Sequence, residues 1–286
     1  MCKLLQAGLR RYLKDIPLWI CIAVAFLSGA FLGNQIYLMN TPSIDTVCFL
    51  VPLLLFSILT SLSLGREFDD GAIRNKIISG HSRASIFFSE LILAAASCST
   101  LFFSFFISFA ITNIEDLSRV PFEIGVNVWI GCLLLSILSA VLHSVVTLLL
   151  SNRTLAIVIN LVLVLVFAFI AGETLSALHQ NEYTTHTVYE YDENGDVFAS
   201  ELVKEKNPHY VGGSKRIFYE ALSDTLPCGQ AEEYCDILNT CLQADGTPTL
   251  DENESKALKT HPFYSLAATA LISLLGWVVF RKRPIK

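Results

Sequence analysis

An ionisable side chain inside a long apolar run is costly, so the few that this sequence places there are the first candidates for chemistry. Glu90 lies seven residues past Arg83, and His143 lies eight residues before Ser151. At 1.5 Å per helical residue, both sit about 10–12 Å beyond the polar boundary of their runs. A short polar loop joins the two runs, so the helices they form are expected to be neighbours. One expectation is a shared Glu90–His143 polar cluster. The other is that each side chain separately satisfies a backbone or hydroxyl partner. Asn160, in a further apolar run, is expected to hydrogen-bond between helices, a contact worth about 0.6 kcal/mol in a membrane; a substrate contact is the alternative. Ser104, Ser108, Gly131, Ser136 and Ser139 are small enough to let helices approach closely.

The remaining reactive residues point to few reactions. There is no GxxxxGK[ST] phosphate loop, so the chain is not expected to bind and hydrolyse ATP alone. HExxH and GxSxG are absent, which removes the common metalloprotease and serine hydrolase signatures. No basic patch interleaved with aromatics suggests nucleic acid. The eight cysteines include no CxxC pair, and no metal site is expected. Cys228, Cys235 and Cys241 share one polar segment, and three thiols cannot all pair within it. If one straight helix carried Cys235 and Cys241, they would be about 9 Å apart along its axis, too far to bridge. A disulfide then needs a break in that helix or Cys228 as partner, and Cys228–Cys241 is the first candidate.

The elements that position these residues follow from hydropathy. Hydrophobic residues make up 53% of the 286 and charged ones only 16%, against about 25% in a soluble domain. The charges are clustered, leaving apolar runs long enough to span a bilayer at 16–39, 47–64, 84–111, 126–150, 155–171 and 262–280. These runs are apolar all round, as in Leu161 to Val166, which fits helices and not the alternation of a barrel. The fold class expected is an all-α polytopic membrane protein with six transmembrane helices. Residues 1–15, with Leu4, Leu5, Leu9 and Leu13 among Lys3, Arg10, Arg11 and Lys14, suit an interfacial helix. A signal peptide, or a twin-arginine signal at Arg10-Arg11, is the alternative for this front. The division is then 1–15 interfacial helix, 16–171 helices one to five with a polar block at 65–83, a polar segment at 172–261, and 262–286 the sixth helix with a basic tail. In the polar segment, Thr187 to Tyr191 and Val197 to Ala199 flank Asn194-Gly195, a hairpin-turn dipeptide. Ser214 to Ser223 and Gln230 to Leu242 read as helices separated by Pro227, which makes a small mixed α/β extracellular domain the expectation.

Six spans put both termini on one side, and the basic residues choose it. The N-terminal segment, the 65–83 block, the turn at Arg153 and the C-terminal residues carry thirteen Lys and Arg, and the opposite short loop carries only Arg119. The termini and the 65–83 block are therefore expected in the cytoplasm of a plasma-membrane protein. That block mixes Phe68, Ile73, Ile77 and Ile78 with charges between Gly71 and Gly80, the pattern of a short amphipathic helix on the membrane surface.

Glu67-x-x-x-Gly71-x-Ile73-Arg74-Asn75-Lys76-Ile77-Ile78-x-Gly80-x-Ser82-Arg83 resembles the coupling region of bacterial ABC-2-type permeases. Leu226-Pro227-Cys228-Gly229-Gln230 is similar to a Leu-Pro-x-Gly-Gln stretch of that family, departing from it at Cys228, where threonine is common. Gly276 to Phe280 with the basic tail ending in Ile285-Lys286 resembles the family's C-terminus, departing at Pro284, where an acidic residue is usual. The resemblance implies the permease subunit of an ABC exporter, paired as a homodimer or with a paralogue in the lipid bilayer. A separate ATPase subunit would bind ATP and Mg, with no cofactor in this chain. It further implies that Asp70, Gly71, Arg74, Asn75 and Lys76 face the ATPase, while Glu67 and Arg83 brace the loop, by pairing with each other. Two other functions compete. A membrane sensor or accessory subunit would use the 172–261 segment to bind peptide or cell-wall ligand. An intramembrane enzyme or ion-coupled carrier would rest on Glu90 and His143 alone.

Overall fold

The computed structural model describes residues 1–38, 47–191, 197–243 and 248–283. Eleven helices and two strands are assigned among them. α1 (Cys2–Tyr12) precedes α2 (Ile16–Leu38), α3 (Val47–Asp69), the short α4 (Ala72–Ile78) and α5 (Arg83–Thr112). After the single turn α6 (Ile114–Leu117) come α7 (Phe122–Leu150), α8 (Arg153–Leu178), β1 (Tyr183–Tyr191) and β2 (Val197–Lys206). α9 (Gly213–Thr225), α10 (Pro227–Gln243) and α11 (Glu252–Lys282) complete the chain. Six of these, α2, α3, α5, α7, α8 and α11, are long and apolar enough to cross a membrane. The chain is thus an all-α polytopic membrane protein. Large apolar side chains such as Leu27, Phe31, Leu165, Phe169, Leu271 and Leu275 stay exposed on the outer faces of the long helices. That is the surface a helix presents when its solvent is hydrocarbon.

Close approach holds the bundle together, since apolar burial gains nothing between helices already in lipid. α2 lies against α5, with Ser104 Oγ donating to the Ile22 carbonyl (3.1 Å) and Ser108 Oγ to that of Phe26 (2.6 Å). A Cβ at Gly29 would strike the Phe105 carbonyl, so only glycine fits this crossing. α11 crosses α7 and α5 where Gly276 meets Val145 and Phe87, beside a Phe87–Phe280–Trp277 aromatic cluster. α1 lies across α5, with Leu4 and Tyr12 buried and Gly8 against Leu93.

The basic segments converge at one end of this bundle. Gly65 abuts Arg153. Arg283 donates to the carbonyls of Leu148 and Leu150, and Arg83 Nη1 to those of Arg281 (3.0 Å) and Arg283 (2.6 Å). A guanidinium among the last carbonyls of a helix also meets the negative end of its dipole.

The 172–261 segment differs from the expected domain. β1 and β2 form one antiparallel ribbon, with Tyr183 opposite Lys206 and a register shift between Glu190 and Tyr191. The Asn194-Gly195 turn lies outside the described residues. Tyr183 and Leu202 of the ribbon are exposed. α9 and α10 pack instead on the bundle. α9 runs down α8 from Leu178, whose carbonyl accepts from Arg216. Near the hairpin tip, Cys228 Sγ reaches the Val164 carbonyl at 3.8 Å, about 16 Å along α8 from Arg153. α10 then returns beside α7, where a Cβ at Gly131 would overlap the Tyr234 hydroxyl. α10 buries its apolar face, with Tyr234, Ile237 and Leu238, against the long helices, because a two-stranded ribbon offers no core; α9 buries Ser223 and leaves Ile217 and Phe218 exposed. α11 likewise begins before Pro262, at Glu252, behind a capping box in which Asp251 and Glu254 satisfy each other's backbone N–H.

Candidate functional site

The 65–83 block divides into three. Its first residues continue α3 as far as Asp69. Gly71, at φ 65°, reverses the chain into α4, and Gly80, at φ 86°, leads out of it. Both turns need the left-handed region that glycine enters without strain. Ser82 then accepts from the Ser85 N–H and caps α5. The result is a seven-residue elbow whose two faces differ. Ile73 is buried and Ile77 half-buried, whereas Arg74, Asn75 and Ile78 are exposed, Ile78 at 72%. Asp69 and Asp70 are exposed beside them, and Gly71 is half-buried at the turn.

Beneath the elbow lies a buried ion cluster. Lys76 Nζ sits 2.7 Å from Glu67 Oε2 and 2.5 Å from Glu90 Oε1, and the two carboxylates are only 3% and 1% exposed. Arg11 of α1 pairs with the other oxygen of Glu67. Two carboxylates therefore meet two cations, which is what allows these charges to leave water without a net buried charge. Asp15 and Arg66 pair alongside. Tyr12 fills the space between, and burial, then the Glu90 charge, raise its phenol well above the ordinary range, so it stays protonated. Four elements, α1, α3, α4 and α5, meet through these side chains.

Deeper in the bundle, Asn160 of α8 forms a second polar node. Its Nδ2 donates to Ser61 Oγ (2.8 Å), Thr147 Oγ1 (3.0 Å) and the His143 carbonyl (3.2 Å), and its Oδ1 lies 3.2 Å from His143 Nδ1. Because Oδ1 accepts only, the network assigns the imidazole proton to Nδ1. Asn160 thereby ties α3, α7 and α8 together from a fully buried position.

Several sequence expectations are corrected by this geometry. Glu67 and Arg83 do not pair; Glu67 binds Arg11 and Lys76, and Arg83 turns to the α11 carbonyls. Lys76 does not face outward with Arg74 and Asn75, because it lies three residues past Ile73, on the stripe that packs against the bundle. Glu90 and His143 share no hydrogen bond among the described residues: Glu90 turns toward α4, and His143 toward α8. The Cys228–Cys241 disulfide is excluded: α10 is one helix from Pro227 to Gln243, both thiols are free and buried, and thirteen residues of helix separate them by about 20 Å.

The sequence reading missed the role of Arg11 and the inward turn of Lys76. The Ile73–Lys76–Ile77 spacing was the available signal for the second. It also missed a triad at the other end of the bundle, in which His261 Nε2 lies 3.1 Å from Asp224 Oδ1 and 3.2 Å from Glu233 Oε2. No local motif announces that triad, since its members come from α9, α10 and α11. Comparison with protein-family models, with curated proteins and with solved structures finds no match to this chain. The functional reading therefore rests on the chain's own residues and geometry.

Proposed function

We propose that this chain is the membrane-spanning permease subunit of an ATP-driven ABC exporter, with α4 as the helix on which a separate ATPase pushes. The two-faced elbow carries the reading. Its outer face presents a charged pair of residue types, Asp70 and Arg74, together with Asn75 and an apolar Ile78 left exposed among the described residues. Its inner face is wired by Lys76 to α3 and α5. A push on α4 is then delivered to two long helices and, through Arg11, to α1. On this reading the basic end of the bundle is cytoplasmic, the ribbon and the wide end of the α9–α10 hairpin are external, and a second permease subunit completes the path. A cavity of about 470 Å³ lined by Phe56, Phe102, Phe105, Phe109, Trp129 and Leu238 supports passage of an apolar cargo. ATP and Mg²⁺ belong to the partner.

A photo-crosslinker placed at Asn75 in native membranes tests this. The expected product is an adduct that also takes up a photoreactive ATP analogue. The Ile78→Asp variant should lose the adduct yet keep its elution profile in detergent. Adducts formed without any nucleotide-binding protein would refute the proposal. The exposed Tyr183 and Leu202 of the ribbon favour a second reading, a sensor or accessory subunit that binds a ligand outside. Charge reversal at Asp70 or Arg74 separates the two: an exporter loses ATPase stimulation, and a sensor is unaffected.

A further inference from the structure

We propose that Asp224, Glu233 and His261 form a divalent-metal site of the Zn²⁺ class, which pins α9, α10 and α11 together. The inference is independent of the permease reading. One ligand atom from each residue lies within 4.8 Å of the other two. The His261 Nε2 separations, 3.1 and 3.2 Å, approach the edge of a Zn²⁺ tetrahedron, about 3.3–3.6 Å for bonds of about 2.0–2.2 Å. The three residue types are those of borderline divalent ions, an imidazole nitrogen with two carboxylate oxygens.

Hydrogen bonding alone leaves this arrangement short. His261 is 0% exposed, and its one Nε2 proton faces two carboxylates. With a metal on Nε2 the ring keeps its remaining proton on Nδ1, which has no hydrogen-bond partner among the described residues. A dication where the three ligand atoms converge answers both carboxylates and the Nε2 lone pair together. The supports resemble those of a built site. Ser223 Oγ donates to Glu233 Oε1 (2.6 Å), leaving Oε2 for the cation. Gln230 Nε2 holds the Asp224 carbonyl (2.7 Å), and Ser265 Oγ holds Gln230 Oε1 (2.7 Å). Gly229 lies so close to the Ser223 backbone that a Cβ would overlap it.

An approach exists. Asp224 and Glu233 border a cavity of about 170 Å³ that also bears Glu220, Asp236, Asp251 and Glu254, against Arg216 and Lys256. A cation entering there meets the two carboxylates first, with the imidazole behind. Three protein ligands leave one coordination position toward the cavity, for water or for a donor group of a bound molecule.

The test uses the full chain, purified in detergent with any affinity tag removed. ZnCl₂ is followed by calorimetry and CoCl₂ by visible absorption. The expected result is one ion per chain, with the strong ligand-field bands of four-coordinate Co²⁺. His261→Gln and Glu233→Gln should each weaken binding by more than about 100-fold, since loss of an outer-shell partner alone costs 10–100-fold. The Cys228→Ser/Cys241→Ser variant should bind as before. Elution volume and helical content verify that the variants fold. If His261→Gln does not fold, Glu233→Gln carries the comparison, because its amide oxygen keeps the Ser223 contact. Absence of stoichiometric binding to the wild-type chain, binding that survives both ligand substitutions, or a thiolate-to-cobalt charge-transfer band would each overturn the proposal.

Discussion

Lys76 shows how one side chain joins a surface helix to a membrane bundle. Its ammonium stands between two carboxylates that are almost wholly withdrawn from solvent. Removing one partner of a buried ion pair costs about 3–5 kcal/mol, because the charge left behind has no water to turn to. Lys76→Met is therefore expected to lower the thermal unfolding midpoint in detergent by that equivalent. Adding Glu90→Gln should recover part of the loss, since Arg11 still answers Glu67; a double mutant as unstable as the sum of its singles would show that Lys76 and Glu90 do not interact. Asn160 is the second decisive residue. Asn160→Leu leaves Ser61 Oγ, Thr147 Oγ1 and the His143 Nδ1–H without their shared partner. Interhelical hydrogen bonds in membranes reach at most about 1.7 kcal/mol, so the same unfolding measurement should register a loss of about 1–2 kcal/mol.

At the scale of elements, the α9–α10 hairpin is held by shape more than by charge. Tyr234 lies over Gly131 of α7, and the Cys228 thiol lies against the α8 backbone. Gly131→Leu should force the hairpin outward, at the usual overpacking cost of about 1–3 kcal/mol. Cys228, buried at 5% exposure in the native fold, then becomes a reporter. Its maleimide labelling in folded protein should rise in the Gly131→Leu variant and stay low in the parent. Equal labelling in both would mean that the hairpin is not seated by this contact. Ile217 and Phe218 remain exposed on α9.

For the molecule as a whole, the basic end and the hairpin end define a polarity. Gly65 against Arg153, Arg283 against the end of α7, and Arg83 against the end of α11 gather these basic residues at one end. Single cysteines at Ser79 and Lys215, both in exposed positions, test the orientation in intact cells. A membrane-impermeant thiol reagent should label Lys215→Cys and spare Ser79→Cys until the membrane is opened. The reverse pattern would place α4 outside and remove any role for it as the contact of a cytoplasmic motor.

The amino-acid sequence by itself determined the six long helices, the two glycine turns around α4 and the end of the bundle that collects the basic residues. Each depends on a property summed along the chain: hydropathy over about twenty residues, the conformational freedom of Gly71 and Gly80, or the number of charges per loop. Tertiary structure alone decided the partners. Whether Glu90 meets Lys76 or His143 depends on the rotation of α5 about its axis. Whether Asp224, Glu233 and His261 converge depends on α9 and α10 folding back along α8. Whether Cys228 can reach Cys241 depends on α10 remaining unbroken. A side chain's depth in a membrane is fixed by its own sequence position, but its direction is fixed only when neighbouring helices choose which stripe to bury.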